Sequence, residues 1–287
     1  MLTKVAAIIQ PNISPAFRHL SNDLKEHGVD IAISSYDDRA WKEETTEQGT
    51  LYITDSESVY RTLRQMGHYA LPYRHDGNGD ASFAGALYVI EQIEEIGYET
   101  VDMAYRRLAD LPWEILTTER CIVRETIVED VDSFYRIYAE PEITKYMEDL
   151  YDNRDEEIAY IRDYREIVYG FYGYGMWTIQ TKEGTVIGRA GISCREGFDV
   201  PELGFVIGVT WQRQGYAYEV CSAILDYARN ELGFTQIQAL VMKGNDKSER
   251  LCKKLGFQYV QDIILDSEIY EQMMKQFTDE KAGEKCE

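Results

Sequence analysis

Over roughly the first 110 residues, apolar runs of strand length alternate with amphipathic stretches of helical period, and that alternation restricts the fold more than any other feature. "KVAAIIQ" reads as a buried strand, and "SPAFRHLSNDLKEHG" as a helix with Ser14 as N-cap and Gly28 as terminator. "VDIAIS" and "TLYITDS" read as strands, "ESVYRTLRQMG" as a helix ended by Gly67, "HYALPYR" as a strand, and "SFAGALYVIEQIEEIG" as a helix starting after Ser82. Strands alternating with helices predict an α/β fold with a parallel, doubly wound sheet. Ligands in such sheets bind beyond the carboxyl ends of the strands. Those ends carry Gln10 and Asn12, then Asp55 and Ser56, then His75, Asp76 and Asn78. The same residue types form turns and caps, and the glycines of "HDGNGD" make no phosphate-loop pattern.

The rhythm changes near "ADLPWEILTTER", where Pro112 restricts the residue before it. This predicts a first domain over 1–112, a second over 117–275, and a polar tail over 276–287 that includes "FTDEKAGEKCE". In the second domain "RCIVRETIVEDV" reads as strand and turn, "DVDSFYRIYAEPEITKYM" as a helix interrupted near Pro141, and "NRDEEIAYIRDYREIVYG" as a polar helix. "YGMWTIQTKEG" and "TVIGRAGISC" read as strands joined by a hairpin at Glu183 and Gly184. "PELGFVIGVT" and "QIQALVM" are further strands, "DKSERLCKKLG" a short helix ended by Gly256, and "FQYVQDIIL" the last strand.

Charge narrows the partners. A formal net charge of -21 argues against nucleic acid and anionic membrane surfaces, because like charges repel the phosphate backbone. The five cysteines contain no Cys-x-x-Cys pair, which disfavours zinc sites and disulfide frameworks. No apolar run reaches signal-peptide or transmembrane length, and a reduced cytoplasm fits best.

"WQRQGYAYEVCSAILDYARNELGF" then opens an amphipathic helix, with Val220, Cys221, Ile224, Leu225 and Ala228 on one face, behind Arg213, Gln214 and Gly215. A helix N-terminus presents unpaired N–H groups and the positive end of its dipole. Gly215 admits a ligand without a Cβ in the way, and Arg213 adds positive charge. Such a start suits a pyrophosphate.

"QRQGYA" resembles the pyrophosphate loop of the GNAT N-acetyltransferase superfamily. The likeness runs from about Glu119 to Leu265, with "PELGFVIGV" similar to that family's fourth strand and "NDKSERLCKKLGF" similar to its asparagine-containing helix segment. "RETIVEDVDSFYRIYAEPEITKYM" further resembles the branch that includes ribosomal-protein acetyltransferases. The resemblance implies a GNAT-type mixed sheet flanked by helices (α+β) and acetyl-CoA as cosubstrate, with no metal. Gln212, Arg213, Gln214, Gly215, Tyr216, Ala217 and Tyr218 would hold the pyrophosphate through their N–H groups. Val206 and Ile207 would lend backbone groups to the pantetheine arm and polarise the acetyl carbonyl. Asn245 and Ser248 would lie near the pantetheine and thioester end, although Asn245 also reads as a helix cap. In the first domain, "LYITDSESVYRTLRQMG" loosely resembles the strand-Asp-helix unit of haloacid-dehalogenase-like phosphatases. "IIQPNIS" lacks their nucleophilic Asp-x-Asp, which implies a catalytically silent accessory domain.

Acetylation of an amine needs a base, and the departing thiolate benefits from an acid. All four histidines lie in the first domain, so Glu202, early in the family's fourth strand, is the candidate base. In an alternating strand it could equally face solvent. Cys252 stands where many family members carry a tyrosine acid, and it reads either as the acid or as a small core residue. "YGFYGYG" either borders the acceptor pocket or packs and turns. The expectation is acetyl transfer from acetyl-CoA to a primary amine, on a small molecule or a peptide, in a ternary complex. The alternative is an acyl-CoA-binding sensor without efficient turnover. A homodimer is compatible with either.

Overall fold

The computed structural model describes residues 1–38, 41 and 48–277, so the predicted tail lies outside the described residues from 278 onward. The chain divides into two compact units, Met1–Trp113 and Glu114–Glu287.

The first unit runs β1 (Lys4–Ile8), α1 (Arg18–Glu26), β2 (Asp30–Ser34), β3 (Thr50–Thr54), α2 (Glu57–Gln65), β4 (Ala70–Pro72) and α3 (Tyr98–Leu108). Its strands are parallel, in the order β2-β1-β3-β4. The run "KVAAIIQ" is apolar throughout because both faces of β1 are covered. Val5, Ala7 and Ile9 pack with α1 and α3, while Ala6 and Ile8 pack with α2.

Two expectations fail here. Ser14 lies inside a 3-10 turn, Pro11–Phe17, and α1 begins at Arg18 with no side-chain cap. The segment after Ser82 is not helical. Gly85 sits at φ +78°, and Ile90 joins the sheet edge by bridging to Tyr73. The helix starts instead at Gly97, where Asp23 accepts the Tyr98 N–H. Apolar spacing in this stretch reports burial of Ile90 and Ile93 rather than a helical face.

The second unit contains β5 (Glu114–Thr117), β6 (Cys121–Arg124), α4 (Val131–Tyr138), α5 (Pro141–Thr144), α6 (Arg154–Asp163) continuing through a π-helical turn into α7 (Gly170–Tyr172), β7 (Met176–Thr181) and β8 (Val186–Ser193). There follow β9 (Glu202–Ile207), α8 (Tyr216–Asn230), β10 (Gln236–Met242), α9 (Asp246–Lys254), β11 (Gln258–Leu265) and β12 (Glu268–Gln276). They form one mixed sheet, β11-β12-β10-β9-β8-β7-β6-β5, in which only β9 and β10 are parallel neighbours. One face packs on α8 and α9 around Trp177, Val220, Ile224 and Cys252. The other packs on α4 and α6 around Phe134, Ile137, Ile161 and Val206.

β11 is not the last strand. β12 follows it through Asp266 and Ser267, both at positive φ, and inserts between β11 and β10. The chain therefore stays in the sheet to Gln276, inside the stretch read as tail, and Phe277 packs against the core. No helix of the described residues is long and apolar enough to cross a membrane.

Candidate active site

β9 and β10 pair at a single position, Glu202 with Gln238, and diverge beyond it. Backbone direction alternates along β9. Even positions face β8, where the Gly208 N–H donates to the Ile187 carbonyl at 2.9 Å. Odd positions face β10. The Pro201 carbonyl accepts the Gln238 N–H at 2.9 Å, and the Ile207 carbonyl accepts Gln212 Nε2 at 2.9 Å. Between these anchors the Leu203 N–H completes the Glu202/Gln238 bridge, and the Leu203 carbonyl and the Phe205 N–H and C=O turn into the gap. The expectation for Val206 is thereby corrected: its backbone faces β8 and its side chain enters the α4/α6 core. Ile207 does face the gap, and Phe205 takes the place expected of Val206.

The gap opens toward the start of α8. Arg213 and Gly215 both have positive φ, +60° and +89°, on either side of Gln214. Alternating backbone hands turn successive N–H groups into one concavity. Gly215 is the N-cap of α8 and offers no side-chain cap, so the first-turn N–H groups of this 15-residue helix are left for a ligand. Arg213, Gln214 and Tyr218 are exposed, while Gln212, Tyr216 and Ala217 are half-buried. Gln214 Nε2 donates to the Thr210 carbonyl at 2.8 Å and tightens the turn. Lys247 at the start of α9 reaches Gln212 Oε1 at 3.3 Å and Glu142 at 2.7 Å.

A brace that local sequence reasoning missed holds this turn. Arg120, just before β6, donates from Nε to Glu219 Oε2 at 2.7 Å and from Nη1 to the Gln214 carbonyl at 3.0 Å. Its guanidinium lies 4.0 Å from the centroid of the Tyr216 ring. Glu219 also accepts from Thr118 Oγ1 at 2.7 Å and from the Arg120 N–H at 2.9 Å. Burial alone would raise the Glu219 carboxyl, but these hydrogen bonds outweigh it and hold it below the usual carboxylate range. The partners lie 99 residues apart, and no periodicity or spacing marks such a pair.

Asn245 caps α9, its Oδ1 accepting the Ser248 N–H at 3.2 Å, so the capping reading of Asn245 is the one the structure shows. Cys252 is fully buried in the core beneath α9, and burial pushes its thiol up to about 12. A thiol closed off from solvent in the α8/α9 core fits the packing reading of Cys252 rather than the acid. Glu202 is 8% exposed at the closed end of the β9/β10 gap. Burial raises its carboxyl above the usual range, and Arg195 Nε, donating to Oε2 at 2.8 Å, offsets part of that rise. The tyrosine-rich segment packs in part, the second of its two readings. The Tyr169 hydroxyl donates to the Met176 carbonyl from full burial, whereas Phe171 and Tyr172 are exposed.

In the first unit the polar strand ends close on one another. Asp55 accepts from the Tyr36 hydroxyl, from the Gln10 N–H at 3.5 Å and from His75 Nε2 at 3.2 Å. His75 Nδ1 accepts the Gly77 N–H at 3.0 Å, Asn78 bridges the Asp55 and Tyr73 carbonyls, and Ser56 caps α2. These residues serve as caps and turn-formers.

A mixed sheet split at one parallel pair, with an uncapped glycine-led helix at the split, is the arrangement expected from the likeness to the GNAT superfamily. The family model for the acetyltransferase (GNAT) domain matches residues 120–258. The uncharacterized N-acetyltransferase YoaA of Bacillus subtilis is 30% identical over 149 residues, which is 50% of this chain and 82% of that protein. The ribosomal protein uS5-alanine N-acetyltransferase of Escherichia coli is 28% identical over 172 residues, 55% of this chain and 86% of that protein. Among solved structures, the ribosomal L7/L12 alpha-N-protein acetyltransferase RimL superposes with a TM-score of 0.50 at 11% identity, covering 59% of this chain and 97% of that one. The chain belongs to the GNAT acetyltransferase family and is an acyltransferase; the matched residues all lie in the second unit.

Proposed function

We propose that the second unit transfers an acetyl group from acetyl-CoA to a primary amine by direct attack in a ternary complex. One observation carries the reading: the uncapped N-terminus of α8, with Arg213 and Gly215 in left-handed conformation, stands at the mouth of the β9/β10 gap. The concavity fits a pyrophosphate, and the unpaired strand edge fits an amide-bearing arm. Bound acetyl-CoA supplies the acetyl thioester. The residues then divide the work. N–H groups from Arg213 through Tyr218 hold the diphosphate, braced by Arg120. The Leu203 carbonyl, the Phe205 N–H and C=O and the Ile207 N–H offer backbone partners along the gap. Glu202 gives one oxygen to Arg195 and keeps the other for a proton taken from the amine, directly or through a water. The thiolate leaves without a proton from Cys252. We read the first unit, Met1–Trp113, as an accessory domain.

The burial of Cys252 and the pairing of Glu202 with Arg195 favour a second reading, in which the same cradle binds an acyl-CoA without efficient turnover. Calorimetric titration with acetyl-CoA, followed by thiol release against a panel of amines, tests both. No binding at millimolar acetyl-CoA rejects both readings, whereas binding without release for any amine leaves only the sensor.

A further inference from the structure

The sheet face under α4 and α6 carries two buried arginines with opposite fates. Arg124 is paired bidentately with Asp130, Nη1 to Oδ2 at 2.8 Å and Nη2 to Oδ1 at 2.7 Å. Arg189 on β8 is 8% exposed, and among the described residues no carboxylate lies within 4.0 Å of it. Its Nε has no hydrogen-bond partner. Its surroundings are aromatic: the Phe134 ring centroid lies 4.8 Å from the guanidinium carbon, and the phenols of Tyr138, Tyr160, Tyr164 and Tyr169 stand around it. Across the same phenols, Glu157 is 1% exposed and keeps one oxygen, Oε1, without a partner, its Oε2 accepting the Tyr151 N–H at 3.2 Å. A buried charge without a counter-charge costs folding free energy that an apolar residue of similar shape would not.

Position gives the unpaired guanidinium its meaning. Arg189 stands directly across the β8/β9 ladder from Val206, between the two residues, Phe205 and Ile207, whose backbones face the gap. The next pair on the same face is Gly191 with Gly204, two residues and about 7 Å along the strands. After it comes Ser193 with Glu202. The face therefore reads, in order, unpaired cation, a glycine pair beneath the Met176 side chain, candidate base.

We propose that Arg189 is a specificity-determining residue that receives a carboxylate on the acceptor, so that the preferred substrate is an amine with a carboxylate a few bonds from its nitrogen. The proposal rests on the acetyltransferase reading of the site. A guanidinium takes a carboxylate through two parallel N–H donors, and the free Nε is one half of such a fork. Amines without an acid group leave the charge uncompensated and bind less well.

The test uses product-like probes in matched pairs, N-acetylglycine with N-acetylglycinamide and N-acetyl-β-alanine with its amide. Each is titrated calorimetrically into the full chain saturated with CoA. The corresponding free amines are then compared for kcat/KM with acetyl-CoA. We expect the wild type to prefer at least one carboxylate over its amide by roughly 10-fold or more, as for a hydrogen bond to a charged group. Arg189→Gln should remove that preference while amide affinity stays within about 3-fold, and Arg189→Lys should keep part of it. Thermal unfolding of both variants reports whether the fold is kept. Equal binding of acid and amide, no response to any probe, or a preference that survives Arg189→Gln overturns the proposal. Failure of the wild type to bind CoA at all overturns the acetyltransferase reading instead.

Discussion

Arg120 and Glu219 hold each other at 2.7 Å, and through that pair β6 is tied to the first turn of α8. The pair is half-exposed, so its worth lies in placing the turn more than in stabilising the fold. Arg120→Gln is expected to weaken acetyl-CoA binding by roughly 3- to 10-fold, with a smaller effect on kcat. Titration calorimetry and steady-state kinetics on the same preparation check this. Equal affinity in the variant would show that the turn holds its shape unaided.

Gly215 makes a sharper case. At φ +89° any other residue is strained, and a Cβ there would meet Arg120 Nη2 at 3.3 Å. Gly215→Ala should cost about 1–3 kcal/mol of strain, paid partly in stability and partly in a cradle that no longer closes on phosphate. Expected are a lowered unfolding midpoint and a Kd for CoA raised by roughly 10-fold or more, while dephospho- and full-length CoA lose affinity alike. Unchanged CoA affinity at a lowered midpoint would place the diphosphate elsewhere.

The raised carboxyl of Glu202 has a signed consequence for both rate and stability. If it is the base, its active form exists only above its native pKa, which lies above the ordinary 4.5. kcat/KM should climb with pH through that interval, and Glu202→Gln should lose the limb along with about 100-fold in kcat. For stability, the native carboxyl holds its proton more tightly than the unfolded one. The native state is favoured below about pH 4.5, and this contribution is lost as pH rises through the native pKa. Urea midpoints of wild type and Glu202→Gln across that window should converge toward acid and separate toward neutrality, with the variant the more stable.

Cys252 should be silent in catalysis and audible in stability. Cys252→Ala opens a small void in the core, at a cost of about 1 kcal/mol, and leaves kcat unchanged. Cys252→Ser buries a hydroxyl among apolar groups and should cost about 1–3 kcal/mol. A fall in kcat of tenfold or more in Cys252→Ala, with CoA affinity intact, would restore the thiol as a proton donor.

What the sequence discloses is what is encoded locally. The hairpin at Gly184, the end of α9 at Gly256 and the glycine start of α8 each rest on one residue's backbone freedom, and all three are where local chemistry puts them. The reading misses where the signal is borrowed from a distance. β12 follows a turn made by Asp266 and Ser267 rather than glycine, so its two strands read as one strand and a tail. Between Ser82 and Gly97, Ile90 and Ile93 are buried by the sheet edge and mimic a helical stripe. At the site, the family pattern points to the turn before α8 and to β9, where an uncapped helix start and a strand with one rung to β10 are found. Strand register, which assigns Phe205 rather than Val206 to the gap, appears only when the neighbours are known. The unpaired state of Arg189 is likewise invisible until its surroundings are in place.

Beyond the single rung between Glu202 and Gln238, and the Gln238 side chain that donates to the Val200 carbonyl at 2.9 Å, β10, β11 and β12 are held to the rest of the sheet by side-chain packing. Greasy packing resists sliding far less than a ladder does, so the cleft behaves as a sprung jaw whose spread can adapt to what lies in it. The amide proton of Phe205 ought then to exchange freely with deuterium in the empty jaw and slow sharply once a threaded chain supplies the missing rungs.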